Sequence, residues 1–271
     1  EIGRHKGLKI LAACGVPVRV WPRAPLLMGI LKTIKRKTIL LSNLFSKNFI
    51  IKDKNIIITG SNSGIGLELL NKLSRENNII ALVNKSLENI NYKKNIKIIQ
   101  NNFENLEFDE TFIEELNDFK PNILINSAAN FGPENQSLGD INFKDFQKII
   151  NINVLAPLRL IQICLRSNNL RQIMNITSGM GSLTNSHDGG YYYYRTSKTM
   201  LNSISKNIAY DLKNKRINLF CLQPGNVKTK MNSSGIISAE FSAQKIINIL
   251  GEDNSNFSGK LIDINSKILN W

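Results

Sequence analysis

Three consecutive isoleucines, Ile56-Ile57-Ile58, run directly into Thr59-Gly60-Ser61-Asn62-Ser63-Gly64-Ile65-Gly66, and this junction constrains the chain more than any other segment. A short apolar run without alternation needs cover on both faces, which is the pattern of a strand inside a parallel sheet. The glycines after it permit a tight turn into a helix. Strand, turn and helix N-terminus together form a cradle for a dinucleotide pyrophosphate, because small residues let the backbone approach and the first N–H groups of the helix point at the phosphates. Gly60, Gly64 and Gly66 are the structural requirement. Ser61 and Ser63 can add hydroxyl donors, and Ile65 opens the helix beside them.

From Lys54 onward, short apolar runs alternate with longer amphipathic segments. The runs predict strands at 55–59, 79–83, 96–99, 122–126, 172–176, 218–223 and 260–264, and the intervening segments predict helices at 64–75, 110–118, 144–166, 193–213 and 239–250. This is an α/β chain, a Rossmann-type doubly wound parallel sheet of about seven strands with helices on both faces. No internal repeat or low-complexity block interrupts it.

Charge divides the chain in two. Residues 1–52 carry eleven Lys or Arg and one acid, Glu1, which leaves 24 bases and 20 acids of the chain's 35 and 21 for residues 53–271. The folded domain, 53–271, is therefore close to neutral, and the formal charge of +14 belongs mostly to a basic N-terminal extension, 1–52. That distribution, with no zinc-finger spacing and no aromatic-rich RNA-recognition strand, points away from nucleic acid as the partner. Residues 1–27 also differ in composition from the rest of the chain, so they read either as upstream sequence before a start at Met28 or as an organellar transit peptide. Without such a peptide the expected compartment is the cytoplasm. No run of eighteen apolar residues predicts a transmembrane helix. Cys14, Cys164 and Cys221 are far apart, and His5 and His187 are the only histidines, so neither a disulfide framework nor a metal site is expected.

A second motif carries chemistry. Tyr194 and Lys198 stand at i and i+4 in Tyr194-Arg195-Thr196-Ser197-Lys198 and share one helix face, so the ammonium can favour the ionised phenol. That would turn tyrosine into a proton donor near neutral pH. Tyr191, Tyr192 and Tyr193 precede it; they can line an apolar pocket, with at least one packed into the core or a subunit contact.

The order of these motifs resembles the short-chain dehydrogenase/reductase family over residues 54–271. Further stations match in sequence: Asn126-Ser127-Ala128-Ala129 resembles the family's Asn-Asn-Ala-Gly element, with Ser127 and Ala129 where Asn and Gly are usual. Asn153 resembles the helix asparagine that supports a proton-relay water, Ser178 the catalytic serine, and Pro224-Gly225-Asn226-Val227-Lys228-Thr229 the loop that covers the nicotinamide amide. Ser178 and Tyr194 lie farther apart than is commonest in the family. With the aromatic run and the Ser258…Trp271 terminus, this looks like the C-factor-like, sniffer-like carbonyl reductase subgroup.

The resemblance implies a hydride-transferring oxidoreductase acting on a small carbonyl or alcohol, with Tyr194 as acid/base, Lys198 lowering its pKa and holding the nicotinamide ribose, Ser178 orienting the carbonyl and Asn153 completing a water path. It places the cofactor against Gly60, Ser61, Ser63, Gly64, Ile65, Gly66, Lys85, Asn102, Asn126, Ala128, Tyr194, Lys198, Pro224, Gly225, Val227 and Thr229. No carboxylate ends the second strand at Val83-Asn84-Lys85, and Lys85 can attract a 2′-phosphate, so NADP(H) is expected in preference to NAD(H). A homo-oligomer is also implied. Two rival readings are an NADP-binding regulatory or signalling protein with little turnover, and an anionic-surface binder driven by residues 1–52.

Overall fold

The computed structural model describes residues 10–11, 17–18, 49–85, 94–185 and 188–271. Glu1–Asn48 and Phe49–Trp271 form separate compact units. In the first, Ile10–Leu11 pairs antiparallel with Pro17–Val18; the other expectations for the basic extension lie outside the described residues.

The second unit is built on one sheet. Its strands are β1 (Asn55–Thr59), β2 (Asn78–Val83), β3 (Ile96–Gln100), β4 (Ile123–Asn126), β5 (Gln172–Ile176), β6 (Asn218–Gln223), β7 (Leu261–Asp263) and β8 (Ile268–Leu269). They lie in the order β3-β2-β1-β4-β5-β6-β7-β8. The first seven are parallel, as expected, and β8 returns antiparallel on β7. That eighth strand is one departure from the predicted seven, and a separate parallel pair of two-residue strands, Val227–Lys228 with Ile237–Ser238, is the other. β8 is two residues long, too short to carry a periodic signal, and its position is set by the turn Asp263–Lys267, where the Asp263 carboxylate accepts from the amides of Asn265 and Lys267.

Alternate residues of β1 serve opposite layers, which explains the uninterrupted isoleucines. Ile56 and Ile58 pack with Leu69, Leu70 and Leu73 of α1 (Gly64–Leu73) and with Ile246 of α6 (Ala239–Gly251). Ile57 faces the other way, toward Leu116 of α2 (Glu110–Asp118) and Leu160 of α4 (Ala156–Cys164). All three isoleucines are fully buried.

The segment predicted as one helix over 144–166 is broken into α3 (Phe143–Ile150), a π-turn at Asn151–Leu155, and α4. Pro157 has no N–H to return to the Asn153 carbonyl, so the regular ladder cannot run through this point. Ala156 instead donates five residues back, to Asn151. The remaining long helix, α5, spans Tyr192–Asp211.

Strand order reverses between β1 and β4, and the turns leaving these two neighbours separate to opposite faces of the sheet. A crevice therefore opens at their C-terminal ends. Among the described residues no helix is long and apolar enough to cross a membrane.

The turn after β1 tolerates almost no added volume. A Cβ on Gly66 would lie 2.3 Å from the Gly60 carbonyl oxygen. Gly66→Ala should therefore destabilise by about 1–3 kcal/mol through overpacking. Scanning calorimetry should show a melting point several degrees lower; an unchanged midpoint would mean that the turn is not held as described.

Candidate active site

The crevice encloses about 1000 Å³. Its floor at one end is the β1–α1 turn. Gly60 has φ +71°, and a Cβ there would meet the Ala128 Cα at 2.7 Å. Thr59 fastens the same approach: its Oγ1 accepts from the amides of Ser127 and Ala128, at 2.9 Å each. Ser63 takes the N-cap position of α1 in extended conformation, yet its side chain caps nothing and no acid occupies the first turn. The positive end of α1 is thus left for a ligand, which is how these residues fit an anionic pyrophosphate.

The predicted cofactor residues divide by position. Gly60, Ser63, Gly64, Ile65, Gly66, Asn102, Ala128, Tyr194, Lys198, Pro224, Gly225, Val227 and Thr229 all line the crevice. Ser61 does not; it is fully buried, and its hydroxyl donates to the Ile58 carbonyl at 3.1 Å, inside the turn. Asn126 lies beneath the floor, where its Nδ2 donates to Asn175 Oδ1 at 2.8 Å. Lys85 is exposed and stands outside the lining. Its backbone is nevertheless fastened to the turn, because Asn62 Nδ2 donates to the Lys85 carbonyl at 2.7 Å while Asn62 Oδ1 accepts from Asn84 N at 3.2 Å.

At the other end, Ser178, Tyr194 and Lys198 converge. Ser178 ends the extended segment after β5, and its Oγ accepts from Met180 N at 3.1 Å. The Ser178 side chain also acts on the Tyr194 phenol, lowering its pKa. Lys198 is 1% exposed; its Nζ donates to the Ile176 carbonyl at 2.9 Å and lies 5.7 Å from the centroid of the Tyr194 ring.

Asn153 sits behind this group, fully buried at the centre of the π-turn and outside the lining. Its Oδ1 accepts from Asn130 N at 2.8 Å, and its Nδ2 donates to Asn130 O and to Ser197 Oγ, both at 2.9 Å. Ser197 Oγ in turn donates to the Tyr194 carbonyl at 2.8 Å. The Asn153 side chain thus joins the loop after β4 to α5, and its main-chain carbonyl is the one from which Pro157 withholds the usual i+4 donor.

Electrostatics correct one expectation. Tyr194 is not acidified in this state: burial pushes its pKa up to about 12, only partly opposed by the Ser178 side chain. Burial pushes Lys198 the other way, down to about 8, with the neighbouring Cys221 thiol opposing. The i, i+4 spacing does put the two on one face, but the amine is spent on a carbonyl below the ring, and loss of water outweighs proximity.

Other contributors were not singled out from the sequence. Phe131 packs against Tyr194 at a tilt of 38° with centroids 4.9 Å apart, and Tyr191 meets Phe131 edge-on at 5.6 Å. Phe131 carries a faint signal, an aromatic directly after the strand-end loop. Asn62 carries none, since only the fold brings it to Lys85. Of the tyrosine run, Tyr191 and Tyr194 line the crevice while Tyr193 is core, its hydroxyl accepting from Asn142 N at 2.6 Å.

The sequence profile of the short chain dehydrogenase family matches residues 54–236. The chain belongs to this family. C-signal of Myxococcus xanthus is 33% identical over 153 residues, spanning 55% of this chain and 92% of that protein. Among solved structures, carbonyl reductase Sniffer of D. melanogaster superposes with a TM-score of 0.74 at 23% identity, covering 82% of this chain and all of that one. The NADPH-bound carbonyl reductase from chicken fatty liver gives 0.67 at 20% identity with the same coverage. Likeness at such identities establishes the fold. These are the relatives to which the longer serine-to-tyrosine loop points.

Burying Lys198 has a thermodynamic consequence. An unfolded lysine titrates near 10.5 and the folded one near 8. Between these values the unfolded chain binds more protons, so this group makes stability rise with pH from about 8 to 10.5, and its cost is fully present below 8. The cost is on the order of 3 kcal/mol. Lys198→Met should melt higher than the parent at pH 7, with the gap closing toward pH 10. Thermal denaturation of both proteins across that range checks it, and a gap that widens with pH overturns it.

Proposed function

We propose that the chain is an NADP(H)-preferring carbonyl reductase that transfers hydride between the nicotinamide and a small or medium apolar carbonyl or alcohol. The observation that carries this reading is one crevice with two ends. An uncapped helix N-terminus in a glycine turn occupies one end, and a serine, a phenol and a buried lysine facing its ring occupy the other.

Bound in this crevice, the nicotinamide supplies the hydride. The chain's own groups manage the proton and the developing charge. Ser178 donates to the carbonyl oxygen and holds it beside the Tyr194 hydroxyl, where charge accumulates during reduction. Tyr194, with its pKa near 12, is fully protonated at neutral pH and has its proton ready to give. Lys198, with a pKa near 8, is mostly charged at pH 7. A cation at 5.7 Å from the ring centre stabilises the resulting phenolate by roughly 3 kcal/mol at an effective dielectric near 20. That is about two pKa units, comparable to the upward shift that burial imposes. The lysine thus enters when charge appears. In this reading Asn153 supports a water path that returns the proton.

NADP(H) preference rests on the end of β2. Asn84 lines the crevice there, no carboxylate stands at the end of β2 among the described residues, and Lys85 is exposed beside it. A structural neighbour bound to NADPH agrees with that reading. The match to C-signal favours a second reading, in which cofactor binding serves signalling with little turnover. Tight NADPH binding without reduction of any carbonyl in a broad panel would select it.

Tyr194→Phe should lower kcat by at least about a thousandfold and leave the NADPH dissociation constant within twofold, because the phenol donates the proton while the glycine turn holds the phosphates. Steady-state kinetics and NADPH fluorescence titration measure both; retained turnover rejects the assignment. Separately, Lys85→Ala should weaken NADPH by about 3–10-fold and NADH by less than half as much, in keeping with the loss of one exposed phosphate contact. Equal losses for the two cofactors would remove Lys85 from the 2′-phosphate site.

A further inference from the structure

The helix that presents Tyr194 begins without a cap of its own. Tyr191 holds the N-cap position in the left-handed conformation, φ 53°, and offers no side-chain hydrogen bond. Arg195 is the first residue to return its amide to the helix, at the Tyr191 carbonyl. The Tyr194 N–H is therefore one of the orphan donors of the first turn.

A side chain from another loop meets it. Gln136 is 4% exposed, and its Oε1 accepts from Tyr194 N at 3.5 Å. The Nε2 of the same amide donates to the carbonyls of Phe131 at 2.9 Å and Pro133 at 3.0 Å. One buried amide thus binds the backbone of the proposed proton donor and the backbone of the aromatic residue packed against its ring. Both of its donor hydrogens and its oxygen are engaged, so the two segments are joined through a single rigid group.

We propose that Gln136 is a positioning residue for carbonyl reduction: it sets the separation between the Phe131 wall and the Tyr194 phenol, and so fixes where a carbonyl can sit. This rests on the reductase reading. It predicts an effect on substrate engagement that spares the cofactor, since Gln136 lies away from the glycine turn and outside the crevice lining. It also predicts that the effect passes through Phe131.

The test combines kinetics and amide exchange. With NADPH and 4-nitrobenzaldehyde, Gln136→Leu should lower kcat/KM by about 10–100-fold, carried mainly by KM, the size expected for a misplaced substrate. The NADPH dissociation constant should stay within twofold. In a Phe131→Ala background, adding Gln136→Leu should cost less than about twofold, because coupled residues are not additive. Fully additive losses, an unchanged KM or an equal loss of NADPH affinity would overturn the proposal. Should the leucine variant not fold, Gln136→Glu keeps the acceptor toward Tyr194 while losing both donors, and the same kinetic loss is expected. Hydrogen exchange needs no turnover: amides in 129–135 and 192–195 should exchange at least about tenfold faster in the variant, with the β1–α1 turn unchanged. Uniform or absent change there rejects the positioning role. A parent protein without turnover would reject the reductase reading alone.

Discussion

The close approach of two turns governs this molecule. The backbone leaving β1 at Gly60 and the backbone leaving β4 at Ala128 touch with no room for a Cβ between them, and a single hydroxyl, Thr59 Oγ1, holds two amides of the second turn. That contact occurs where strand order reverses, so it defines the floor of the crevice while its walls diverge. Everything chemical is arranged relative to it. The α1 N-terminus points in from one side, and β5 and α5 bring Ser178, Tyr194 and Lys198 from the other. Moving Gly60 away from Ala128 would widen the gap between phosphate cradle and phenol, and a fixed-length dinucleotide could then satisfy only one of them.

Beneath the floor runs a layer of buried amides and hydroxyls that an apolar core would not contain. Asn126 donates to Asn175, Asn175 to Ser205, and Ser205 to the Leu201 carbonyl. A parallel chain links Thr177 to Asn202 and Asn202 to the Gly181 carbonyl. The first chain joins the ends of β4 and β5 to α5, and the second joins the segment after β5 to the same helix. Each unsatisfied partner in such a layer costs about 1–3 kcal/mol, so the registry of strand and helix is held with little slack. The exception is Asn126 Oδ1, which is buried without a partner. It lies next to the strand end that borders the crevice.

Legibility from sequence followed the physics of each feature. The isoleucine run and the glycine turn were readable because burial on both faces and steric exclusion act locally. Tyr194 and Lys198 were readable as a pair because helical spacing decides which side chains share a face. The direction of the Tyr194 shift was not, since desolvation depends on residues from β4, β5 and the loop holding Phe131, which meet only after folding. Pro157 lies inside the segment predicted as one helix, and its consequence, a widened turn centred on Asn153, requires knowing that α3 and α4 stay nearly continuous across it. Ser61 resembles a phosphate donor in sequence and is an internal turn hydroxyl in the fold; its own backbone, three residues back, claimed it first.

The buried ammonium shows why such a site is kept costly. Lys198 could be exchanged for an apolar residue with a gain in stability at neutral pH, because its desolvation is repaid by only one carbonyl, that of Ile176. In exchange, the amine remains partly unsatisfied and close to a ring that has no charge until a proton leaves it. A surface lysine would be solvated equally well before and after that transfer and would favour neither state. The buried one favours the charged phenolate strongly, since no water competes. In the proposed mechanism, the same desolvation that raises Tyr194 and lowers Lys198 in the resting protein would strengthen their attraction once the phenol gave up its proton.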